Sequence, residues 1–263
     1  MHRGAEGGDA VPVYLETVWS EALSKPPVDQ GDLDGYYEWR PAFVPAGRRF
    51  EPTAERALEP TVRELASRLP GSSSGVLATA QFAGPTGIAD LVAVTRAQEL
   101  LAARLRLGVP PLSRFADTSV VAAVAIRRTT TAPCVARALG ISEVQAARRL
   151  RQLSDAGFLS QNGSGYRRHP VFAPIGHMYA FEAKVSDWRQ AIAQALRYAR
   201  WADAAGIVLL RPPKDTRSLK AHARALRIGV AVENRWLIRP VLHRVSPGLR
   251  LLSSEMFVAA LMK

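Results

Sequence analysis

Hydrophobic positions along the chain change period in a way that predicts alternating helices and strands at both ends of one region and helices alone in its middle. Between Thr53 and Leu69, Leu58, Val62, Leu65 and Leu69 recur at helical spacing, and Pro60 predicts a kink or restart there. Val76 to Phe82 (VLATAQF) and Ile88 to Thr95 (IADLVAVT) read as strands. The breaker Gly84-Pro85-Thr86-Gly87 between them predicts a hairpin over residues 76–95. Residues 96–107, 118–127 and 132–139 follow helical spacing. A further helix is expected from Glu143 to Ala156, capped by Ser142 and stopped by Gly157. Phe158 to Ser160 and Tyr166 to Arg168 flank a Gly-rich tight turn. The strand period then returns. Strands are expected at 178–185, 206–210, 229–232 and 236–242, with helices at 187–203, 216–227 and 254–262. Such alternation predicts an α/β protein with a mixed sheet flanked by helices. Residues 1–50 form an arm with a short helix expected at Val13 to Leu23. Its aromatic residues Tyr36, Tyr37, Trp39 and Phe43 are suited to docking on the body.

Composition narrows the partners. The 263 residues carry a formal charge of +12, and the arm is acidic, so the positive charge belongs to the body. An excess of positive charge of this kind points to a polyanion, most simply nucleic acid. One cysteine excludes a disulfide scaffold and a Cys-based zinc finger. No uninterrupted apolar run is longer than Val120 to Ile126, which is too short to span a bilayer. The start, MHRGAEGGDAVPV, lacks the apolar stretch of a signal peptide, so a cytoplasmic protein is expected. His169, His177, His222 and His243 show no metal-ligand spacing. Gly71 to Gly75 is not followed by the Lys-Ser/Thr of a phosphate loop.

Residues 118–170 fit the order helix, helix, turn, helix, wing. In Ala138-Leu139-Gly140-Ile141-Ser142, Gly140 permits positive φ, Ile141 plugs a core and Ser142 caps the next helix. On that helix Ala146, Leu150 and Leu153 face inward, and Gln145, Arg148, Arg149 and Gln152 share the opposite side. Gln and Arg make bidentate contacts to adenine and guanine edges in a major groove. Tyr166, Arg167 and Arg168 on the hairpin suit phosphate or minor-groove contacts. The run Leu150-x-x-Leu153-x-x-x-Gly157-Phe158-Leu159 with its Gly-rich wing resembles the winged helix-turn-helix family, which implies DNA binding. Cys134 within this stretch reads as a small core residue.

The alternating part carries acids. Glu182 and Lys184 share one face of an expected strand, and Asp90 lies on the second strand of the hairpin. Two carboxylates from adjacent strands suit a divalent cation. A lysine beside them suits orienting an attacking water or stabilising charge on a phosphate. The order of strand, turn, strand with Asp90, strand with Glu182 and Lys184, then helix with Gln194 and Tyr198 resembles the PD-(D/E)xK nuclease superfamily. The Gln194-x-x-x-Tyr198 spacing is similar to its RecB-type branch. The resemblance implies a restriction-endonuclease-like core with Mg²⁺ or Mn²⁺ at Asp90 and Glu182. It further implies Lys184 at the reaction centre and Gln194 and Tyr198 in support. A further acid from the first helix, Glu55, Glu59 or Glu64, is also implied. Two departures stand out. Ala89 replaces the family's proline, and Asp90 lies 92 residues before Glu182.

An insertion accounts for that separation, because the ends of an inserted segment need only lie close together. The expected organisation is an arm (1–50), a nuclease-like core in two parts (51–96 and 176–263) and an inserted winged helix-turn-helix (97–175). The function expected is a metal-dependent deoxyribonuclease positioned by the winged helix, with DNA as partner and a homodimer as its assembly. Two other readings stay open: a non-catalytic DNA-binding transcription regulator or scaffold that keeps the fold, and a protein-docking adaptor.

Overall fold

A computed structural model describes residues 59–262. The expectations for the arm, for the first helix before Glu59 and for Glu55 lie outside the described residues, as does the side chain of Glu59. Within them, α1 (Glu59–Ala66) leads into the hairpin of β1 (Val76–Gly84) and β2 (Gly87–Thr95). A largely helical segment follows: α2 (Gln98–Arg106), α3 (Phe115–Ala123), α4 (Ala132–Leu139), α5 (Glu143–Asp155), β3 (Leu159–Asn162) and β4 (Gly165–Arg168). The chain returns through β5 (His177–Lys184), α6 (Trp188–Tyr198), β6 (Ala204–Leu209), α7 (Thr216–Ala225), β7 (Gly229–Val232), β8 (Arg235–Ile238) and α8 (Pro247–Leu261).

The sheet is mixed, as expected, and its strand order is β1-β2-β5-β6-β7-β8. The β1–β2, β2–β5 and β7–β8 pairs are antiparallel, whereas β5, β6 and β7 run parallel. Strand alternation sorts its side chains into two layers. Val92, Val94, Met178, Ala180, Ile207, Leu209 and Val230 pack with α6, α7 and α8. Leu91, Ala93, Tyr179, Phe181 and Val208 pack with Val62, Leu65 and Leu69 at the α1 end of the chain. At the hairpin turn Gly84 lies under Trp201, where a Cβ would approach the indole to 2.6 Å.

Residues between β2 and β5 build a core of their own from Val120, Val121, Val135, Ala146, Leu150, Leu153, Phe158 and Phe172. Gly140 takes the left-handed conformation at the end of α4. Ser142 caps α5 in a capping box with Gln145. Strands β3 and β4 form a two-stranded antiparallel sheet, and Thr130 bridges to Tyr166 beside it.

Helix α8 differs from the expectation of residues 254–262, because it begins at Pro247. Its first half buries Arg250, Ser253, Ser254 and Glu255, which break the apolar spacing. Each has partners. Arg250 binds Asp203 at 2.8 Å and donates to the Ile175 and Gly176 carbonyls. Glu255 pairs with Arg104 at 2.9 Å and accepts from the Leu112 amide. Leu251 belongs to the second core, and Phe257 and Val258 to the first, so α8 joins the two. Helix α6 ends at Tyr198, not Asp203, and buried Trp201 fills the turn that follows. No helix among the described residues is long and apolar enough to cross a membrane.

Candidate active site

Parity fixes the site. Asp90 continues the Val94, Val92 series on β2, and Glu182 and Lys184 continue the Met178, Ala180 series on β5, so all three look toward α6. The β2–β5 ladder runs from Thr95↔His177 to Leu91↔Phe181. One residue further on, the Asp90 carboxylate takes the place of a backbone acceptor. Its Oδ2 accepts the Ala183 amide at 2.8 Å. The long segment between these strands therefore leaves the two acids on neighbouring strands of one sheet.

Glu182 is 2% exposed. Lys184 Nζ lies 2.8 Å from its Oε1, and the Tyr198 hydroxyl lies 2.6 Å from its Oε2. Burial, and then the negative charge of Asp90, push the Glu182 carboxyl up to about 7. Lys184 and Tyr198 oppose that rise. The same burial, joined by Glu182, raises the Tyr198 phenol. Tyr198 has one hydroxyl proton but two acceptors in reach, since the Ile88 carbonyl lies 2.5 Å away. A protonated Glu182 resolves the conflict: Glu182 donates to the phenolic oxygen, and Tyr198 donates to Ile88.

A residue not anticipated from the sequence completes the group. Gln81 sits across the hairpin from Asp90, between the pairs Ala80↔Leu91 and Phe82↔Ala89. Its backbone is left-handed (φ 46°) within a strand, and its Nε2 donates to Asp90 Oδ1 at 3.1 Å. Counting the register back from Gly84↔Gly87 would have found it. Gln194 lies one turn before Tyr198 on α6. Its side-chain oxygen is buried without a hydrogen-bond partner among the described residues, and no bond joins it to the carboxylates. Of the first-helix acids, Glu64 is exposed on α1 and paired with Arg68.

Among the described residues, no group of three or more His, Cys, Asp or Glu side chains is arranged to hold a metal ion. The donor set here is two carboxylates. It fits a hard divalent cation of the kind held by one or two carboxylates plus substrate oxygens. Burial is the first cause of the raised Glu182 carboxyl, and the second, repulsion from Asp90, is what such a cation relieves.

The expected DNA face of α5 is corrected in part. Arg148 and Gln152 are exposed, as expected, beside Val144, which is 80% exposed. Gln145 is exposed, but its side-chain oxygen accepts the Ser142 amide in the cap. Arg149 is half-buried and held by Asp117 at 2.9 Å, because α3 packs close enough to offer its first-turn acid. On the hairpin, Tyr166 packs on the core, and Arg167 and Arg168 are half-buried. The Arg168 amide donates to Ala125, which pins the strand there. Cys134, expected in the core, is exposed on α4.

Comparison of the chain with protein-family models, with curated proteins and with solved structures gives no match.

Proposed function

We propose that this protein is a DNA-binding, divalent-metal-dependent nuclease on a restriction-endonuclease-like core interrupted by a winged helix. The observation that carries the reading is the meeting of Asp90, Glu182 and Lys184 on one sheet face despite the long insertion. The order β1, turn, β2 with Asp90, β5 with Glu182 and Lys184, then α6 with Gln194 and Tyr198 supports the reading.

Asp90 and Glu182 would hold Mg²⁺ or Mn²⁺, which supplies Lewis-acid stabilisation of charge on the scissile phosphate. Gln81 and the Ala183 amide fix both oxygens of Asp90, so its orientation is set before substrate arrives. Tyr198 fixes Glu182 in the same way. Lys184 keeps an ammonium within reach of the phosphate and of an attacking water, where it stabilises developing negative charge. Arg148 and Gln152 on α5 are the contacts best exposed to a duplex.

Substitution tests the assignment. Asp90→Asn and Lys184→Ala are expected to bind duplex DNA like the parent and to lose Mg²⁺- or Mn²⁺-dependent cleavage. Unchanged cutting by both variants refutes it. A second reading, a non-catalytic DNA-binding regulator that keeps the fold, is favoured by one observation: each oxygen of the two carboxylates already has a protein hydrogen-bond or ion-pair partner. Protection of a discrete operator with no cleavage in either metal would establish that reading.

A further inference from the structure

We infer that the loop joining β6 to α7, Arg211-Pro212-Pro213-Lys214, is a phosphate-backbone clamp that holds nucleic acid beside the Asp90–Glu182–Lys184 group. The inference rests on the nuclease reading of that group.

Topology creates the need for a local anchor. The inserted segment leaves β2 after Thr95 and rejoins at His177, at the opposite end of both strands from the carboxylates. At about 3.3 Å per residue, that is about 17 Å along β2 from Asp90 and about 23 Å along β5 from Lys184. Phosphates at the carboxylates are thus remote from where the winged segment joins the sheet.

The loop supplies what is missing there. It emerges from the carboxyl end of β6, which runs parallel to β5, and ligands of such sheets bind outside the carboxyl ends of the strands. Two backbone bonds hold it against the neighbouring loop. The Leu210 amide donates to the carbonyl of Lys184 itself at 3.1 Å, and the Arg211 amide donates to Val185 at 3.0 Å. Two consecutive prolines then restrict the backbone between the cations, which lowers the entropy lost when they engage a ligand. Arg211 and Lys214 are both exposed, and neither side chain forms a hydrogen bond or ion pair with the described residues. Arg189 and Arg217, in the first turns of α6 and α7, are exposed at the same end of the sheet. Acids are present there too. Asp187 and Asp215 cap α6 and α7 through the Gln190 and Ser218 amides, and Glu233 lies in the β7–β8 turn. The caps direct those two carboxylates at helix amides, which leaves Arg211 and Lys214 as outward cations on the loop that the Leu210 amide ties to Lys184. A rigid pair of cations beside a carboxylate centre fits successive phosphates of a nucleic-acid strand.

Salt dependence separates the possibilities. Binding of a fluorescein-labelled duplex is followed by anisotropy in EDTA across a sodium chloride series for the parent, for Arg211→Ala/Lys214→Ala and for Arg224→Ala/Arg244→Ala. The last removes the same charge from exposed sites elsewhere. Loss of two phosphate contacts lowers the magnitude of the log K against log salt slope by about 2. We expect that drop in the loop variant and a parent-like slope in the control, and we expect the loop variant's cleavage to weaken through KM. A parent that cuts DNA with the same slope as the loop variant overturns the clamp and leaves the nuclease reading intact. An equal drop in loop variant and control also overturns the clamp, as a general charge effect. A loop-dependent slope with no cleavage in Mg²⁺ or Mn²⁺ keeps the clamp as a nucleic-acid site and removes the nuclease reading. Absence of any DNA binding by the parent overturns both.

Discussion

Replacing Glu182 with Gln turns the electrostatics of the site into a measurable pH dependence. Burial and Asp90 raise this carboxyl from 4.5 to about 7. The folded state therefore holds a proton that the unfolded state has released between those values. Its contribution to stability is fully present below the unfolded value and is lost as pH rises through the folded one. At 1.36 kcal/mol per pH unit, the gap corresponds to about 3 kcal/mol lost between pH 4.5 and 8. Gln keeps the shape and a donor to the Tyr198 oxygen but cannot ionise. Urea denaturation of parent and Glu182→Gln in EDTA from pH 5 to 8 should show the variant gaining on the parent by about 3 kcal/mol as pH rises. Added Mg²⁺ should then stabilise the parent at pH 8, by about 2.7 kcal/mol at a hundredfold excess over Kd, and leave the variant unmoved. Parallel pH profiles would refute the buried-acid argument. An equal Mg²⁺ effect on both proteins would refute the metal assignment.

Further outcomes follow from other parts of the fold. Arg104→Met or Glu255→Gln alone leaves a buried charge without its partner and should cost about 3–5 kcal/mol in urea denaturation. The double replacement Arg104→Met/Glu255→Met should cost less than either single change. Burial lowers the His169 imidazole to about 3, so its contribution is present above the unfolded value of 6.5 and is lost as pH falls below it. After allowance for its partial exposure, His169→Asn should remove about 1 kcal/mol of acid lability between pH 7 and 5, read as a smaller shift in Tm. Gly176 holds a positive φ, and a Cβ there would overlap the Thr95 carbonyl. Gly176→Ala should therefore lose about 3 kcal/mol, or fail to fold, by thermal denaturation.

Legibility in the sequence followed the strength of local signals. The hairpin over 76–95, the strand ending in Glu182 and Lys184 and the capped helix after Ser142 all carry strong turn or periodic patterns, and all are present. The first half of α8 carries the opposite signal. Its interior Arg250, Ser253 and Glu255 look like surface until Asp203, Arg104 and two carbonyls, all far away in sequence, are seen to meet them. Arg149 and Tyr166 have partners that spacing does not show, for a related reason. Helical or strand spacing gives a side chain's direction, but only tertiary packing decides whether Asp117 or the core waits there. At the site, the sequence marked the two acids and the lysine. Gln81 was hidden because an ordinary polar residue gains meaning only from a left-handed kink and a cross-strand partner.

The same topology constrains how reading and cutting can be combined. The segment between β2 and β5 joins the sheet about 17–23 Å from the carboxylates, which is about 5–7 base pairs of duplex at 3.4 Å per step. If Arg148 and Gln152 read bases held near that junction while the backbone passes Lys184 of the same copy, the scissile bond lies outside the bases they touch. A second copy changes the arithmetic, because its carboxylates can reach the bases that the first copy reads. The cleavage position relative to the footprint therefore reports the assembly. A cut displaced from the protected bases is the signature of one chain acting alone. A cut within them requires a dimer, and the sedimentation behaviour of the DNA complex then has to show two copies. A cut within the protected bases by a complex holding one chain would contradict the placement of the site at the far end of β2 and β5.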